Sequence, residues 1–192
     1  RLRQDQVLKQ DMRDLTMVRE AAAIRHLVDL VKERVGNPLS LNGLRDDLQV
    51  HHQTIAAWLE ILERLYVVFR VRPYAGSLAR TLRKESKVYC WDWTEVSEAG
   101  ARFENLVASH LLKFCHWMND VEGDSLELRY IRDKEKREVD FLLLKDRKPW
   151  VLIEAKLSDL NAASSLYYFK DRLRVPWAFQ VVNREESRRD VI

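Results

Sequence analysis

The sequence predicts a mixed α/β chain in two parts, residues 1–96 and 97–192. Three observations predict it: apolar residues recur at helical spacing through residues 17–65, short β-rich apolar runs follow, and the second part alternates its segments in the order α-β-β-β-α-β. Met17 to Val35 carries Ile24, Leu27, Val28 and Val31 on one stripe and stops at Gly36-Asn37-Pro38, an amphipathic helix with a breaker behind it. Ser40 is a plausible cap for a short helix reaching Leu48. After Gln49-Val50-His51-His52 a second helix, about Thr54 to Leu65, gathers Ile55, Trp58, Leu59 and Leu62 into one stripe. Tyr66–Val71 and Lys87–Trp91, separated by a stretch holding Pro73-Tyr74-Ala75-Gly76, read as strands. Two helices, a tight turn and this β-wing make a winged helix-turn-helix.

A boundary falls between Trp93 and Ala101, before a helix from Ala99 to Met118. Strands follow at Leu126–Ile131, Glu138–Leu144 and Trp150–Leu157. The polar connector Lys145-Asp146-Arg147-Lys148-Pro149 has hairpin length, so the last two should be antiparallel neighbours. A crossover helix from about Ala162 to Leu173 returns the chain parallel for a strand at Ala178–Val182, giving a mixed sheet. The tail from Asn183 is highly charged, as mobile tails are.

Within this α/β frame two acidic residues interrupt apolar strands. Asp140 lies in Glu138-Val139-Asp140-Phe141-Leu142-Leu143-Leu144, and Glu154 in Trp150-Val151-Leu152-Ile153-Glu154-Ala155-Lys156-Leu157. Antiparallel pairing sets them side by side, and Lys156 shares the face of Glu154 at ~7 Å, two strand rises. An unpaired carboxylate in a buried strand costs several kcal/mol, on the order of other stranded charges, so such residues need partners. Oxygen ligands suit Mg²⁺ or Mn²⁺, and a nearby lysine can orient water or offset charge on phosphorus. A structural alternative stands beside this: Glu154 with Lys156, and Asp140 with Arg137 or Arg129, as ion pairs.

These residues resemble the D…(D/E)-x-K core of the PD-(D/E)XK nuclease-like, restriction-endonuclease-like fold. The resemblance implies catalytic roles for Asp140, Glu154 and Lys156. It makes Glu104, on the preceding helix, a further acidic ligand, so that Asp140, Glu154 and Glu104 would hold Mg or Mn. Val139 stands where that pattern has proline. The wider chain, through Arg102-Phe103-Glu104-Asn105-Leu106-Val107, Arg137-Glu138-Val139-Asp140-Phe141 and Trp177-Ala178-Phe179-Gln180-Val181-Val182, resembles the C-terminal half of bacterial and archaeal AAA-type ATP-binding proteins. That implies an N-terminal ATPase domain as partner, and ATP bound only through that domain. No G-x-x-x-x-G-K-[ST] occurs in the sequence, so no ATPase activity is expected of this stretch. It begins at Arg1 rather than methionine, as a piece of a longer protein would.

A helix-turn-helix inserts the start of its second helix into the major groove while flanking cations touch phosphates. His51, His52, Gln53 and Thr54 are then the candidate base readers, with Arg45, Arg70 and Arg72 on the backbone and DNA as the partner. Winged helices also serve as protein contacts or structural lids, and that alternative stays open. The net charge of +3, from 33 basic and 30 acidic residues, decides nothing, so charge must be read locally. Basic residues gather at Arg70, Arg72, Arg80, Arg83, Lys84 and Lys87, and at Arg129, Arg132, Lys134, Lys136 and Arg137, as phosphate contacts or as solvated edges. Cys90 and Cys115 give no disulfide framework and read as core thiols of a cytoplasmic protein. No transmembrane run or signal peptide is seen, and an oligomer is left open. Two classes of function remain: a metal-dependent phosphodiesterase, or a nuclease-like module without catalysis that serves DNA binding or protein contact.

Overall fold

A computed structural model describes residues 19–74 and 85–183. Helix α1 runs over residues 19–33, α2 over Leu41–Leu48 and α3 over His52–Arg64. The Ser40 side chain accepts the Gly43 N–H and so starts α2, and Gln49 closes it in the left-handed region at φ 53°. The apolar stripes meet in one core, where Leu27, Val31, Leu44, Ile55, Leu59 and Leu62 are buried together with Val68 and Val88. Those last two residues belong to β1 (Val68–Pro73) and β2 (Lys87–Cys90). Arg80, Arg83 and Lys84 lie outside the described residues, as does the tail beyond Asn183.

The rest follows as α4 (Ala99–Trp117), which runs into a π-helical turn, then β3 (Leu126–Arg132), β4 (Glu138–Lys145), β5 (Lys148–Lys156), α5 (Ser164–Leu173) and β6 (Trp177–Val182). The protein is thus mixed α/β, with five α-helices and a six-stranded mixed sheet among the described residues. The strand order is β2-β1-β3-β4-β5-β6, antiparallel at β1/β2, β3/β4 and β4/β5, and parallel at β1/β3 and β5/β6. The sheet therefore crosses the junction between the two parts, through Arg72↔Arg129 and Pro73↔Tyr130.

Strand alternation divides the core. Phe141, Leu143, Val151 and Ile153 pack with Ala108 and Cys115 of α4, whereas Val139, Leu142, Leu144 and Leu152 pack with Leu166 and Phe169 of α5. Covered on both faces, β4 is buried from Val139 to Leu144, which is why its sequence reads as a continuous apolar run. The β4–β5 connector is shorter than the sequence indicates. The strands extend into it and leave only Asp146 and Arg147, at φ 51° and 64°, the signs of a type I′ turn whose twist matches the strands it joins. No described helix is long and apolar enough to cross a membrane.

Candidate functional site

Asp140 owes its position to an irregularity in β4. Between the pairs Arg129↔Leu142 and Ile131↔Val139, β3 has the single residue Tyr130 while β4 has both Asp140 and Phe141. This is a β-bulge, which breaks the alternation of faces and re-aims a side chain. The β4–β5 ladder has its last regular pair at Phe141↔Ile153. One step beyond, the carboxylates take over the main chain: the Asp140 N–H donates to Glu154 Oε2 at 3.3 Å, and the Ala155 N–H donates to Asp140 Oδ2 at 3.1 Å. Lys156 Nζ stands 2.7 Å from Glu154 Oε1. Asp140, Glu154 and Lys156 are therefore brought together.

Glu104 is brought to the same centre, and what joins it there is Lys87 of β2. The Lys87 side chain is 0 % exposed, and its ammonium lies 2.7 Å from Glu138 Oε1, 3.2 Å from Glu104 Oε1 and 3.2 Å from Asp140 Oδ1. It also sits 5.6 Å from the centroid of the Tyr130 ring. Neighbouring residues fix this arrangement. Tyr89 OH donates to Glu104 Oε1 at 2.7 Å. Buried Asn105, the next residue of α4, accepts the Cys90 N–H at 2.8 Å and donates to the Cys90 carbonyl at 2.7 Å. Gly36, at φ +83° behind α1, approaches so closely that a Cβ there would stand 2.8 Å from Glu104 Oε2.

The electrostatics follow from burial and crowding. Desolvation first, then the Asp140 charge, pushes Glu104 up to about 7 against the opposing pull of Lys87 and Tyr89. The same two causes raise Glu154, against Lys156 and the Asp140 amide. For Lys87 desolvation works to lower the pKa, but Glu104, Asp140 and Glu138 together outweigh it and hold the ammonium charged, above the usual lysine range. Arg132 adds a guanidinium 3.0 Å from Glu138 Oε2. Four carboxylates (Glu104, Glu138, Asp140, Glu154) thus face three cations (Lys87, Arg132, Lys156).

Mg²⁺ or Mn²⁺ needs open oxygen ligands around a small sphere, at ~2.1 Å for Mg²⁺. Here both oxygens of Asp140 and both of Glu154 already accept hydrogen bonds or ion pairs, and the space shared by Asp140 and Glu104 contains the Lys87 ammonium. Among the described residues no group of three or more His, Cys, Asp or Glu side chains is arranged to hold a metal ion. In this arrangement the centre does not fit a divalent ion. It fits an ammonium.

The expected nucleic-acid residues are more dispersed. His51, the N-cap of α3, is exposed, as are His52 and Gln53, while Thr54 is half-buried. Arg45 pairs with Asp46 at 2.7 Å, and Arg70 with Glu63. Arg72 is exposed. In the second basic cluster Arg129 pairs with Glu127, and Arg137 with Asp133 at 2.6 Å, its guanidinium 3.8 Å above the Tyr168 ring. Sequence reasoning missed Lys87, Tyr89, Asn105 and Glu138 as parts of the centre. It grouped Lys87 with the phosphate-seeking wing cations, although the adjoining Val88-Tyr89-Cys90 gave a signal of burial. Cys90 and Cys115 are buried and unpaired.

No curated protein and no solved structure matches the chain. Two family models do. A domain of unknown function (DUF8612) matches residues 3–94, and a second domain of unknown function (DUF4143), an AAA-associated C-terminal domain, matches residues 99–190.

Proposed function

We propose that this chain is a nucleic-acid-associated C-terminal module of an AAA-type ATPase, built on a nuclease-like core that does not catalyse in the conformation described. The observation that carries the reading is the buried Lys87 ammonium among Glu104, Glu138 and Asp140. Order α4-β3-β4-β5-α5-β6, with an acid on β4 facing Glu-x-Lys on β5, supports a nuclease-like core. An ammonium in place of a divalent ion supports the absence of hydrolysis. Contact with nucleic acid falls to the α2–α3 pair and the β1–β2 hairpin, read as a winged helix-turn-helix. The apolar stripe of α3 is fully used by the core, and His51, His52 and Gln53 are left outward at its start.

A second reading, a Mg²⁺- or Mn²⁺-dependent phosphodiesterase using Asp140, Glu154, Lys156 and Glu104, is favoured by the intact Glu154/Lys156 pair. One assay set separates the two. Fluorescence anisotropy with labelled duplex DNA at low salt should show salt-dependent binding. Arg72→Ala should weaken it for all sequences and reduce the slope of log K against log salt by about 1. Arg70→Ala should instead act on stability, because Arg70 is held by Glu63. Incubation of single- and double-stranded DNA and RNA with Mn²⁺ should leave them uncut. Cleavage abolished by Lys156→Ala would establish the second reading, and absence of DNA binding at any salt concentration would remove the nucleic-acid role.

A further inference from the structure

A sheet edge presents a row of unpaired main-chain N–H and C=O groups that will take another strand, and proteins guard such edges with covering segments, charged side chains or bulges. The two ends of this sheet are treated differently. At β2 the outward groups are taken: the Leu39 N–H donates to the Ser86 carbonyl at 2.9 Å, Pro38 bridges to Lys87, and the Asn105 amide closes both main-chain groups of Cys90. At β6 the edge is left open. Among the described residues its main chain pairs with β5 alone, no bulge interrupts that pairing, and the strand reads Trp177-Ala178-Phe179-Gln180-Val181-Val182, without a charge.

The side chains around this edge are apolar and exposed. Ala178 packs beneath α5 with Leu166 and Phe169, so alternation turns Trp177, Phe179 and Val181 to the other face, where α4 lies mainly over β2, β3 and β5. Trp177 is left 55 % exposed and Val181 37 %. On the α5 face Gln180 fastens the loop before that helix: its amide donates to the Asp159 and Asn161 carbonyls and accepts the Ala163 N–H. This sets exposed Leu160 beside the edge, and exposed Tyr167, one helical turn beyond Ala163, on the same flank of α5. Apolar surface gathered about an unpaired strand marks an interface, where single scattered apolar residues do not.

We propose that two copies of this chain join through β6, antiparallel about a two-fold axis, so that two six-stranded sheets become one of twelve strands. Charge selects a second copy as the occupant: antiparallel self-pairing sets Trp177–Val182 against itself with no like charges opposed, a condition that a charged edge fails. Closure selects it too. A two-fold contact uses the same strand of both copies, and because the β2 edge is covered no further sheet can add, so the assembly stops at two. The area agrees: Leu160, Tyr167, Trp177 and Val181 expose roughly 400 Å² per chain, so a pair covers about 800 Å² of side chain before main chain is counted, as suits a reversible dimer. Helix α3, with exposed His52 and Gln53, packs on β1 toward the other end of the sheet and stays uncovered. The dimer therefore goes beyond the nucleic-acid reading and does not rest on it.

The test is the mass of the full chain in solution, read by sedimentation equilibrium and light scattering over about a hundredfold range of concentration. Wild type should pass from one copy to two and no further. Val181→Lys and Trp177→Lys replace exposed side chains; each places two ammonium groups in the contact and should weaken the dimer at least about tenfold. Leu65→Lys, at an exposed apolar position just past α3, should leave the dimer unchanged. Hydrogen exchange locates the contact: the amides of β6 that point away from β5, every second one along the strand, should slow as the dimer forms and stay fast in Val181→Lys. Should one lysine variant fail to fold, the other and the wild-type exchange pattern decide. A monomer at every concentration overturns the proposal, whether those amides are open or already protected by other residues of the same chain. A dimer that survives both β6 variants, a dimer lost in Leu65→Lys, or assembly beyond two copies overturns it as well, because the contact then lies elsewhere.

Discussion

Asn105→Ala offers the sharpest test of how the two parts of the chain are held together. Asn105 is 0 % exposed, and its amide bonds both main-chain groups of Cys90, itself 3 % exposed, at 2.8 and 2.7 Å. Alanine would leave that N–H and that carbonyl without partners in a site closed to water. Each unsatisfied buried group costs about 1–3 kcal/mol, so the pair should cost roughly 2–5 kcal/mol once partial relaxation is allowed. For a chain of this size about 2–4 °C of melting temperature goes with each kcal/mol, so the melting point should fall by roughly 5–15 °C. Urea unfolding followed by circular dichroism gives the free energy, and hydrogen exchange at the Cys90 amide shows whether the loss begins at β2. A loss below about 1 kcal/mol, with the Cys90 amide still as protected as its neighbours, would refute the reasoning, since the hairpin would then be held by something other than this clamp.

The remaining predictions concern Glu104 and the β4–β5 turn. Because Glu104 is raised to about 7 from an ordinary 4.5, the folded chain binds its proton more tightly than the unfolded one, and its contribution to stability is present below about pH 4.5 and lost as pH rises through 7. The whole effect is at most about 3 kcal/mol, and Glu104→Gln should flatten the fall in stability between pH 5 and 8 measured by urea titration. Lys87 remains charged in both states across that window and adds no slope. A variant retaining the wild-type slope would assign the titration to another group. In the turn, Arg147 holds φ 64° without being glycine, so Arg147→Gly should stabilise by about 0.5–1 kcal/mol through relief of that strain; a drop in the urea midpoint would contradict the type I′ assignment.

Much of the fold was legible because each element announced itself locally. The stripe of Ile55, Trp58, Leu59 and Leu62 specified α3, and the run Val139 to Leu144 specified a strand covered on both faces. The pairing of Asp140 with Glu154 followed from a hairpin-length connector, although the turn proved shorter. The centre itself was only half legible. Strand periodicity places Asp140 by counting, but the bulge opposite Tyr130 shifts the count by one residue, and nothing in the residues around Asp140 signals that shift. Lys87 and Tyr89 escaped for a different reason: their contacts with Glu104 span 17 and 15 positions, and those of Lys87 with Asp140 span 53. Such contacts depend on where an edge strand docks, which no local pattern encodes.

The two family matches end and begin on either side of residues 95–98, yet the centre draws Lys87 and Tyr89 from the first and Glu104, Glu138, Asp140 and Glu154 from the second. Electrostatics explains why such a division cannot be a division of stability. A carboxylate-rich pocket needs a cation in every folded state, and in this conformation the cation is covalently part of the other half. The acids of β4 and α4 and the lysine of β2 are consequently each destabilising alone and stabilising together, since removing either side strands buried charge. The polar clamp at Asn105 and the parallel pairing of β1 with β3 act in the same direction, holding the donor of the cation against its acceptors.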